Sequence, residues 1–162
     1  MKPFKMTGIQ YAALPYRLHG QQVQILLITS RRTRRWIIPK GWPMRGLKPQ
    51  EAAAQEAVEE AGVVGEIADR PIGSYRYLKR LKGEHTLAIQ VIVFPFRVEE
   101  QVPAYKEQGQ RTFAWFGYQE AASRIAEPSL QRLIREFGAM HAPGLFARGL
   151  RAYRAWRFGG HA

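Results

Sequence analysis

The stretch that decides the fold is residues 41–63, GWPMRGLKPQEAAAQEAVEEAGV. Pro49 suits the first turn of a helix, the alanines that follow favour helix, and Gly62 stands where a C-terminal cap is expected. The sequence therefore predicts a helix over 49–61. Because glycines and prolines interrupt residues 40–48, that segment is predicted to be a loop leading into the helix.

Three glutamates of this helix, Glu56, Glu59 and Glu60, stand at i, i+3 and i+4 and therefore project from one face. Carboxylates this close repel one another unless a cation is present. Hard oxygen ligands suit Mg²⁺ or Mn²⁺, with phosphate oxygens and waters completing the shell. Small side chains on the opposite side, such as Ala53 and Ala57, would let the helix lie close against a sheet. Taken alone, the triplet also fits a solvated helix face. The residues around it therefore have to distinguish a metal site from a solvated face.

The rest of the chain shows neither an internal repeat nor a low-complexity segment. Its pattern predicts two hairpins, a last strand and two helices, over residues 8–17 with 22–29, 72–80 with 85–98, 112–117, 118–126 and 128–137. A polar loop is expected over 99–110. The order of strands, helix, strands and helices predicts an α/β (α+β) protein with a mixed sheet and helices packed on it.

Composition limits the class of protein. A length of 162 residues suits one domain with a hydrophobic core. The absence of cysteine excludes disulfides, thiolate metal sites and a cysteine nucleophile. We find neither an apolar run of roughly 18 residues nor a signal-peptide pattern. A cytoplasmic location is therefore the expectation.

Charge points to an anionic partner. Lys and Arg number 25 against 13 Asp and Glu, a formal net charge of +12. Such an excess favours nucleic acid, a membrane surface or a phosphate-rich small molecule, without choosing among them. The tail, residues 142–162, is predicted to be a basic helical segment packed on the domain. Binding of RNA or of an anionic membrane is the alternative for the tail.

Residues 41–63 resemble the Nudix box: a glycine, five residues, a glutamate, seven residues, then Arg-Glu-apolar-x-Glu-Glu-x-Gly-apolar. Gly41, Glu56 and the run Glu59-Glu60-Ala61-Gly62-Val63 match this pattern. The resemblance continues more weakly over about residues 8–137. It implies a Nudix fold, in which a mixed β-sheet is sandwiched between α-helices and carries a loop-helix-loop motif. The Nudix domain is then expected over residues 1–141.

The chain departs from the box at two positions. Leu47 replaces the first glutamate, and Gln55 replaces the arginine. In the family these charges help to brace the loop and to orient the helix carboxylates. Losing both together leaves no orphaned charge if they were paired. We therefore favour an adapted, active enzyme. A Nudix-fold module that binds a phosphorylated ligand without cutting it, and an RNA-associated protein with a vestigial box, are the alternatives.

The resemblance implies a Mg²⁺-dependent hydrolase that cuts a diphosphate linkage, with Mn²⁺ as a possible substitute. Glu56, Glu59 and Glu60 would be the catalytic and metal-binding residues, helped by the backbone carbonyl of Lys40. Glu107, in the loop before the last strand, is the candidate for a further ligand. Either Glu56 or Glu59 would act as the base, and the sequence does not choose between them.

The segment WIIPKG and the later pair Trp115-Phe116 resemble the branch with diphosphoinositol polyphosphate phosphohydrolases and diadenosine polyphosphate hydrolases. The implied substrate is a nucleoside polyphosphate, a dinucleoside polyphosphate or a diphosphoinositol polyphosphate. Removal of pyrophosphate from RNA 5′ ends is the alternative. The predicted substrate-binding residues, which are mostly basic, are Arg32, Arg35, Lys40, Gly41 and Arg111. The oligomeric state stays open.

Overall fold

The computed structural model describes residues 8–83 and 85–142. In this part of the chain the strands are β1 (Gly8–His19), β2 (Gln22–Thr29), β3 (Trp36–Ile37), β4 (Lys40–Gly41), β5 (Val63–Ile67), β6 (Gly73–Arg80), β7 (Thr86–Gln101) and β8 (Phe113–Gly117). The helices are α1 (Pro49–Ala61), α2 (Tyr118–Arg124) and α3 (Pro128–His141).

These strands form one mixed sheet, in which β3, β2, β1, β7 and β5 are neighbours in that order. Strands β1 and β7 are parallel, from Gly8 opposite Ile89 to Tyr16 opposite Arg97. The remaining pairings are antiparallel, including those of β4 with β1, β6 with β7 and β8 with β2. The predicted mixed sheet is confirmed.

Both predicted hairpins are confirmed. The first joins β1 to β2 through a tight turn in which Gly20 has a φ of 62°. The second joins β6 to β7. Strand β7 runs on to Gln101, so the polar loop predicted over 99–110 begins later than expected. This strand is long because β6, β1 and β5 pair with successive, overlapping parts of it.

Strand β4 corrects the loop predicted over 40–48 at its first two residues, and strand β5 was not predicted. Strand β5 follows α1 directly and has the sequence VVGEI, in which only Val63 is buried. Its pairing with β7 shifts register between Val64 and Gly65, as at a β-bulge. Strand β4 has two residues, which pair with Tyr11 and Ala12 of β1. Neither strand has an alternating pattern of its own. Its position in the sheet is set by pairing with the partner strand, so the sequence alone does not indicate it.

Helices cover both faces of the sheet, as expected for a Nudix fold. Helix α1 packs on one face, against Leu26, Ile28 and Phe94. Helices α2 and α3 pack on the other face, against Ile25 and Leu27 among others. The central strands are therefore buried on both sides, which explains the unbroken apolar run over residues 25–28 of β2.

Helix α1 has the predicted bounds. At its start, the Lys48 backbone N–H donates to Glu51 Oε2 at 2.7 Å. At its end, Gly62 adopts the left-handed conformation with a φ of 63°, and its N–H donates to the Val58 carbonyl at 3.0 Å. A Cβ on Gly62 would overlap the ring of Tyr105. The end of α1 is therefore fixed by the backbone and by the chain segment that packs on it.

The predicted packing of the basic tail concerns residues outside the described part of the chain, apart from Ala142. The domain boundary at residue 141 stays a prediction. Among the described helices, none is long and apolar enough to cross a membrane.

We expect Gly62→Ala to lower the free energy of unfolding by about 1–3 kcal/mol more than Gly20→Ala, because only the first overlaps another side chain. Both glycines have nearly the same positive φ, 63° and 62°, so the backbone strain of the two changes is matched. Urea unfolding of both variants measures the difference. Equal losses would show that the Tyr105 contact does not hold the helix end.

Candidate active site

The predicted site residues line one cleft of about 890 Å³. Its walls are the loop over 30–35, β4 with the loop that follows, one face of α1, strand β6 and the segment over 106–111. The cleft contains Glu56, Glu59, Glu60, Lys40, Gly41, Arg32, Arg35, Glu107 and Arg111. The tertiary structure thus brings together residues that are spread over 80 positions of the chain, from 32 to 111.

Glu56 lies against the backbone of β4. A Cβ on Gly41 would overlap the Glu56 carboxylate, so this position needs glycine for the carboxylate to lie where it does. Burial raises the pKa of the Glu56 carboxyl, and the negative charges of Glu59 and Glu107 raise it further. The carboxylate therefore sits where a cation would lower its electrostatic cost.

Glu60 is the most buried of the three glutamates, and its partner is Arg111. Arg111 Nη2 lies 3.3 Å from Glu60 Oε1 and 3.5 Å from Glu107 Oε1. Burial raises the pKa of Glu60 to about 7, although the positive charges of Arg111 and Lys40 oppose that shift. Among the described residues, Glu60 Oε2 has no hydrogen-bond partner.

Glu59 is held by two donors. Gln55 Nε2 donates to Glu59 Oε1 at 2.9 Å, and Lys106 Nζ lies 3.3 Å from Glu59 Oε2. The Gln55 hydrogen bond, followed by Lys106, lowers the pKa of Glu59. The Glu107 backbone N–H also donates to the Glu59 carbonyl at 2.9 Å, which ties the loop before β8 to the helix.

Lys40 lines the cleft from β4, next to Tyr77 of β6. Its Nζ lies 5.0 Å from the centre of the Tyr77 ring, a cation–π distance. Burial lowers the pKa of Lys40. The Tyr77 hydroxyl in turn donates to Gln10 Oε1 at 2.6 Å. An anionic group entering the cleft would therefore meet a partly desolvated cation.

The basic loop, residues 30–35, is a tight turn. The Ser30 N–H donates to the Arg35 carbonyl at 2.8 Å, and the Arg34 N–H donates back to the Ser30 carbonyl at 3.1 Å. Arg31 Nη1 pairs with Glu107 at 3.1 Å, and Arg35 Nη1 lies 3.8 Å from Glu127. Arg32 is exposed on the cleft rim and has no ion pair among the described residues.

Several cleft residues were not predicted from the sequence. Glu127 enters from the residue before α3, Gln10 from β1, Trp42 from the loop after β4 and Lys106 from the loop before β8. Gln10 carried a usable signal, since it is a polar residue within a buried strand. Glu127 and Lys106 carried none, because isolated surface charges are common.

The donor atoms of the cleft fit a divalent cation in part. As they stand, no three His, Cys, Asp or Glu side chains of the described residues are arranged to hold a metal ion. Glu59 and Glu60 are instead paired with the cations Lys106 and Arg111. The buried, unpartnered Glu60 Oε2 and the Glu56 carboxylate on the Gly41 backbone nevertheless fit a hard cation.

Comparison with known proteins identifies the family. Residues 7–137 match the family model described as NUDIX domain, so the chain belongs to the Nudix family. Nudix hydrolase 18, mitochondrial, of Arabidopsis thaliana is 31% identical over 115 residues, which are 67% of this chain and 63% of that protein. Nudix hydrolase 21, chloroplastic, of the same plant is 30% identical over 128 residues, or 76% of this chain and 63% of that protein. The chain thus spans about three fifths of the length of these curated relatives.

Solved structures agree on the fold. An Ap4A hydrolase from C. elegans superposes with a TM-score of 0.60 at 19% identity, over 83% of this chain and 98% of that one. The NUDIX domain of Shewanella oneidensis NrtR, crystallised with ADP ribose, gives a TM-score of 0.57 at 15% identity, over 83% and 90%. At these identities the likeness supports the fold alone.

We expect Gly41→Ala to weaken binding of Mn²⁺ by roughly 10–100-fold, because the added Cβ displaces the Glu56 carboxylate. Electron paramagnetic resonance of free Mn²⁺ during a titration measures the affinity. Gly46→Ala, in the loop that follows β4, is the control: it strains the backbone at a φ of 82°, but nothing lies within 4 Å of its Cβ. Wild-type affinity in Gly41→Ala would remove Glu56 from the proposed metal ligands.

Proposed function

We propose that this chain hydrolyses a diphosphate linkage in a phosphorylated small molecule and depends on a divalent cation. The observation that carries the proposal is the placement of Glu56, Glu59 and Glu60 in the same cleft as Lys40 and the basic loop. A carboxylate cluster in one cleft with cationic side chains suits a metal-bound diphosphate, which needs both. Membership in the Nudix family supports the same reaction class.

Within this class, we propose a nucleoside polyphosphate, a dinucleoside polyphosphate or a diphosphoinositol polyphosphate as the substrate. The net charge of +12 and the arginines of the basic loop support a substrate with more phosphates than the cut linkage alone. A cytoplasmic location remains part of the proposal; the relatives' names include mitochondrial and chloroplastic proteins.

Glu56, Glu59 and Glu60 would hold Mg²⁺ or Mn²⁺, with the Lys40 carbonyl and Glu107 as further oxygen donors. When bound, the ion neutralises phosphate charge and makes a water more acidic. Lys40 would contribute a positive charge to a phosphate oxygen in the same cleft, where burial strengthens the attraction.

A proton acceptor for the attacking water is needed as well. Gln55 and Lys106 bond to the Glu59 carboxylate, whereas the Glu56 carboxylate lies against the Gly41 backbone without an ion pair among the described residues. We propose that one of these two glutamates accepts the proton, the choice that the sequence left open.

We expect Glu56→Gln and Glu60→Gln each to reduce hydrolysis by roughly 10²–10⁴-fold, because each keeps the size of the side chain but removes a charge from the cluster. Phosphate release is measured over a panel of nucleotide, dinucleotide and diphosphoinositol compounds and triphosphorylated RNA, with Mg²⁺, with Mn²⁺ and without metal. Glu136→Gln, on the exposed face of α3, is the matched control.

Three outcomes would reject the proposal or part of it. Full activity in both glutamine variants would remove this helix from catalysis. Binding of the panel compounds without hydrolysis by the wild-type protein would identify a binding module. Cleavage restricted to triphosphorylated RNA would replace the small-molecule substrate with an RNA 5′ end.

We expect the double change Arg32→Ala with Arg35→Ala to lower kcat/KM more for a substrate with four or more phosphates than for a nucleoside diphosphate derivative. Both arginines lie on the cleft, and a charge-assisted hydrogen bond contributes about 1.5–3 kcal/mol, less when exposed. The difference should shrink at higher salt, because exposed charges are screened over about 8–10 Å.

The measurement is kcat/KM for a long and a short substrate at two ionic strengths. The control removes two arginines from the exposed face of α3, Arg132→Ala with Arg135→Ala, which changes net charge equally. An equal loss for both substrates would show that the basic loop is only a solvated surface.

A further inference from the structure

The chain lacks the two box charges that, by resemblance, brace the loop and orient the helix carboxylates. Leu47 is 42% exposed, and Gln55 donates its amide to Glu59. Neither side chain is charged, and among the described residues neither makes a hydrogen bond to Glu60. A buried carboxylate such as Glu60 needs a partner to hold one orientation, so another residue has to supply it.

Arg111 makes the contacts that such a partner requires. One guanidinium nitrogen, Nη2, lies 3.3 Å from Glu60 Oε1 and 3.5 Å from Glu107 Oε1. The other, Nη1, donates to the Thr29 carbonyl at 3.1 Å. The planar guanidinium therefore joins the end of α1, the loop before β8 and the end of β2.

The Arg111 side chain is fixed in place rather than free to reach substrate. Only 9% of it is exposed, whereas Arg32 lies exposed on the rim of the same cleft. The next residue is locked to β2 as well: the Thr112 N–H donates to Thr29 Oγ1, and the Thr29 N–H donates to the Thr112 carbonyl, both at 2.9 Å. Swinging Arg111 outward would leave the buried Glu60 carboxylate without an ion pair and Glu107 with Arg31 alone.

The pairing also selects which oxygen of Glu60 is available. Oε1 is occupied by Arg111, and Oε2 is buried without a partner among the described residues. Arg111 and Arg31 together balance Glu60 and Glu107, and Lys106 pairs with Glu59, so Glu56 is the one glutamate of the cluster without an ion pair among the described residues. A cation would therefore meet the unpaired Glu56 carboxylate and one defined oxygen of Glu60.

We infer that Arg111 is the positioning residue of the carboxylate cluster: it holds Glu60 through Oε1, so that Oε2 is directed to the metal, and takes over the bracing role of the missing box charges. The inference rests on the proposed function. The sequence predicted that Arg111 binds substrate phosphate. The inference assigns Arg111 to the protein's own carboxylates instead.

The test compares Arg111→Met and Arg111→Lys with Arg97→Met, an exposed arginine that pairs with Glu66 at 2.7 Å on the far edge of the sheet. Mn²⁺ affinity is measured by electron paramagnetic resonance, the melting temperature Tm is measured without metal, and kcat and KM are measured separately. We expect Arg111→Met to lower Mn²⁺ affinity and kcat by roughly 10–100-fold, with KM changed by less than about threefold.

Arg111→Lys keeps the positive charge but loses the planar, forked guanidinium that donates to Glu60 and to the Thr29 carbonyl together. It should therefore recover part of the Mn²⁺ affinity and still fall about tenfold short of wild type. This variant keeps the test decisive if Arg111→Met does not fold. The metal-free Tm of Arg111→Met should fall by several degrees, because the buried Glu60 carboxylate loses its counter-charge. Arg97→Met should match wild type in Mn²⁺ affinity and kcat.

Three results would overturn the inference. A rise in KM that grows with the number of phosphates, at unchanged Mn²⁺ affinity, would make Arg111 a substrate ligand. A gain in Mn²⁺ affinity on removing Arg111 would make it a competitor of the metal. Wild-type Mn²⁺ affinity in Arg111→Lys would show that the fork is not needed. Failure of the proposed function looks different, because the wild-type protein itself would then bind no Mn²⁺ or cut no panel compound.

Discussion

The site depends on how closely helix α1 packs against the sheet. Ala53, Ala57 and Ala61 recur every fourth residue and are almost completely buried, so they form the contact face. Side chains this small let the helix backbone lie near β1 and β7. The glutamates on the neighbouring face are thereby placed at the cleft, and the left-handed turn at Gly62 ends the helix there. A larger side chain in this face would move the helix and its carboxylates together.

The cleft balances opposite charges in pairs that join separate parts of the chain. Glu59 pairs with Lys106, Glu60 with Arg111, Glu107 with both Arg111 and Arg31, and Glu127 with Arg35. These contacts allow several carboxylates and cations to share a partly buried space. A bound cation would face the carboxylates, and a polyanionic substrate would face the basic side chains. The cleft is therefore suited to receive both.

Sequence patterns were reliable where a few neighbouring residues decide the outcome. The bounds of α1 follow from Pro49, the alanines and Gly62, which act within one or two turns. The hairpin at Gly20 is equally local. Strand β5 and the full length of β7 were missed because pairing partners far along the chain determine them. Glu127 was missed for the same reason, since only the packing of α3 brings it to the cleft.

The sequence by itself determined the class of the protein and the glutamate cluster, because helical periodicity places residues 56, 59 and 60 on one face wherever the helix lies. The tertiary structure decided what each charge does. In the sequence, Arg111 resembles any other surface cation. In the structure, its hydrogen bond to the Thr29 carbonyl at the end of β2 holds it beside Glu60 and Glu107. Partners across the fold cannot be read from spacing, because burial and distance arise only when the sheet brings distant segments together.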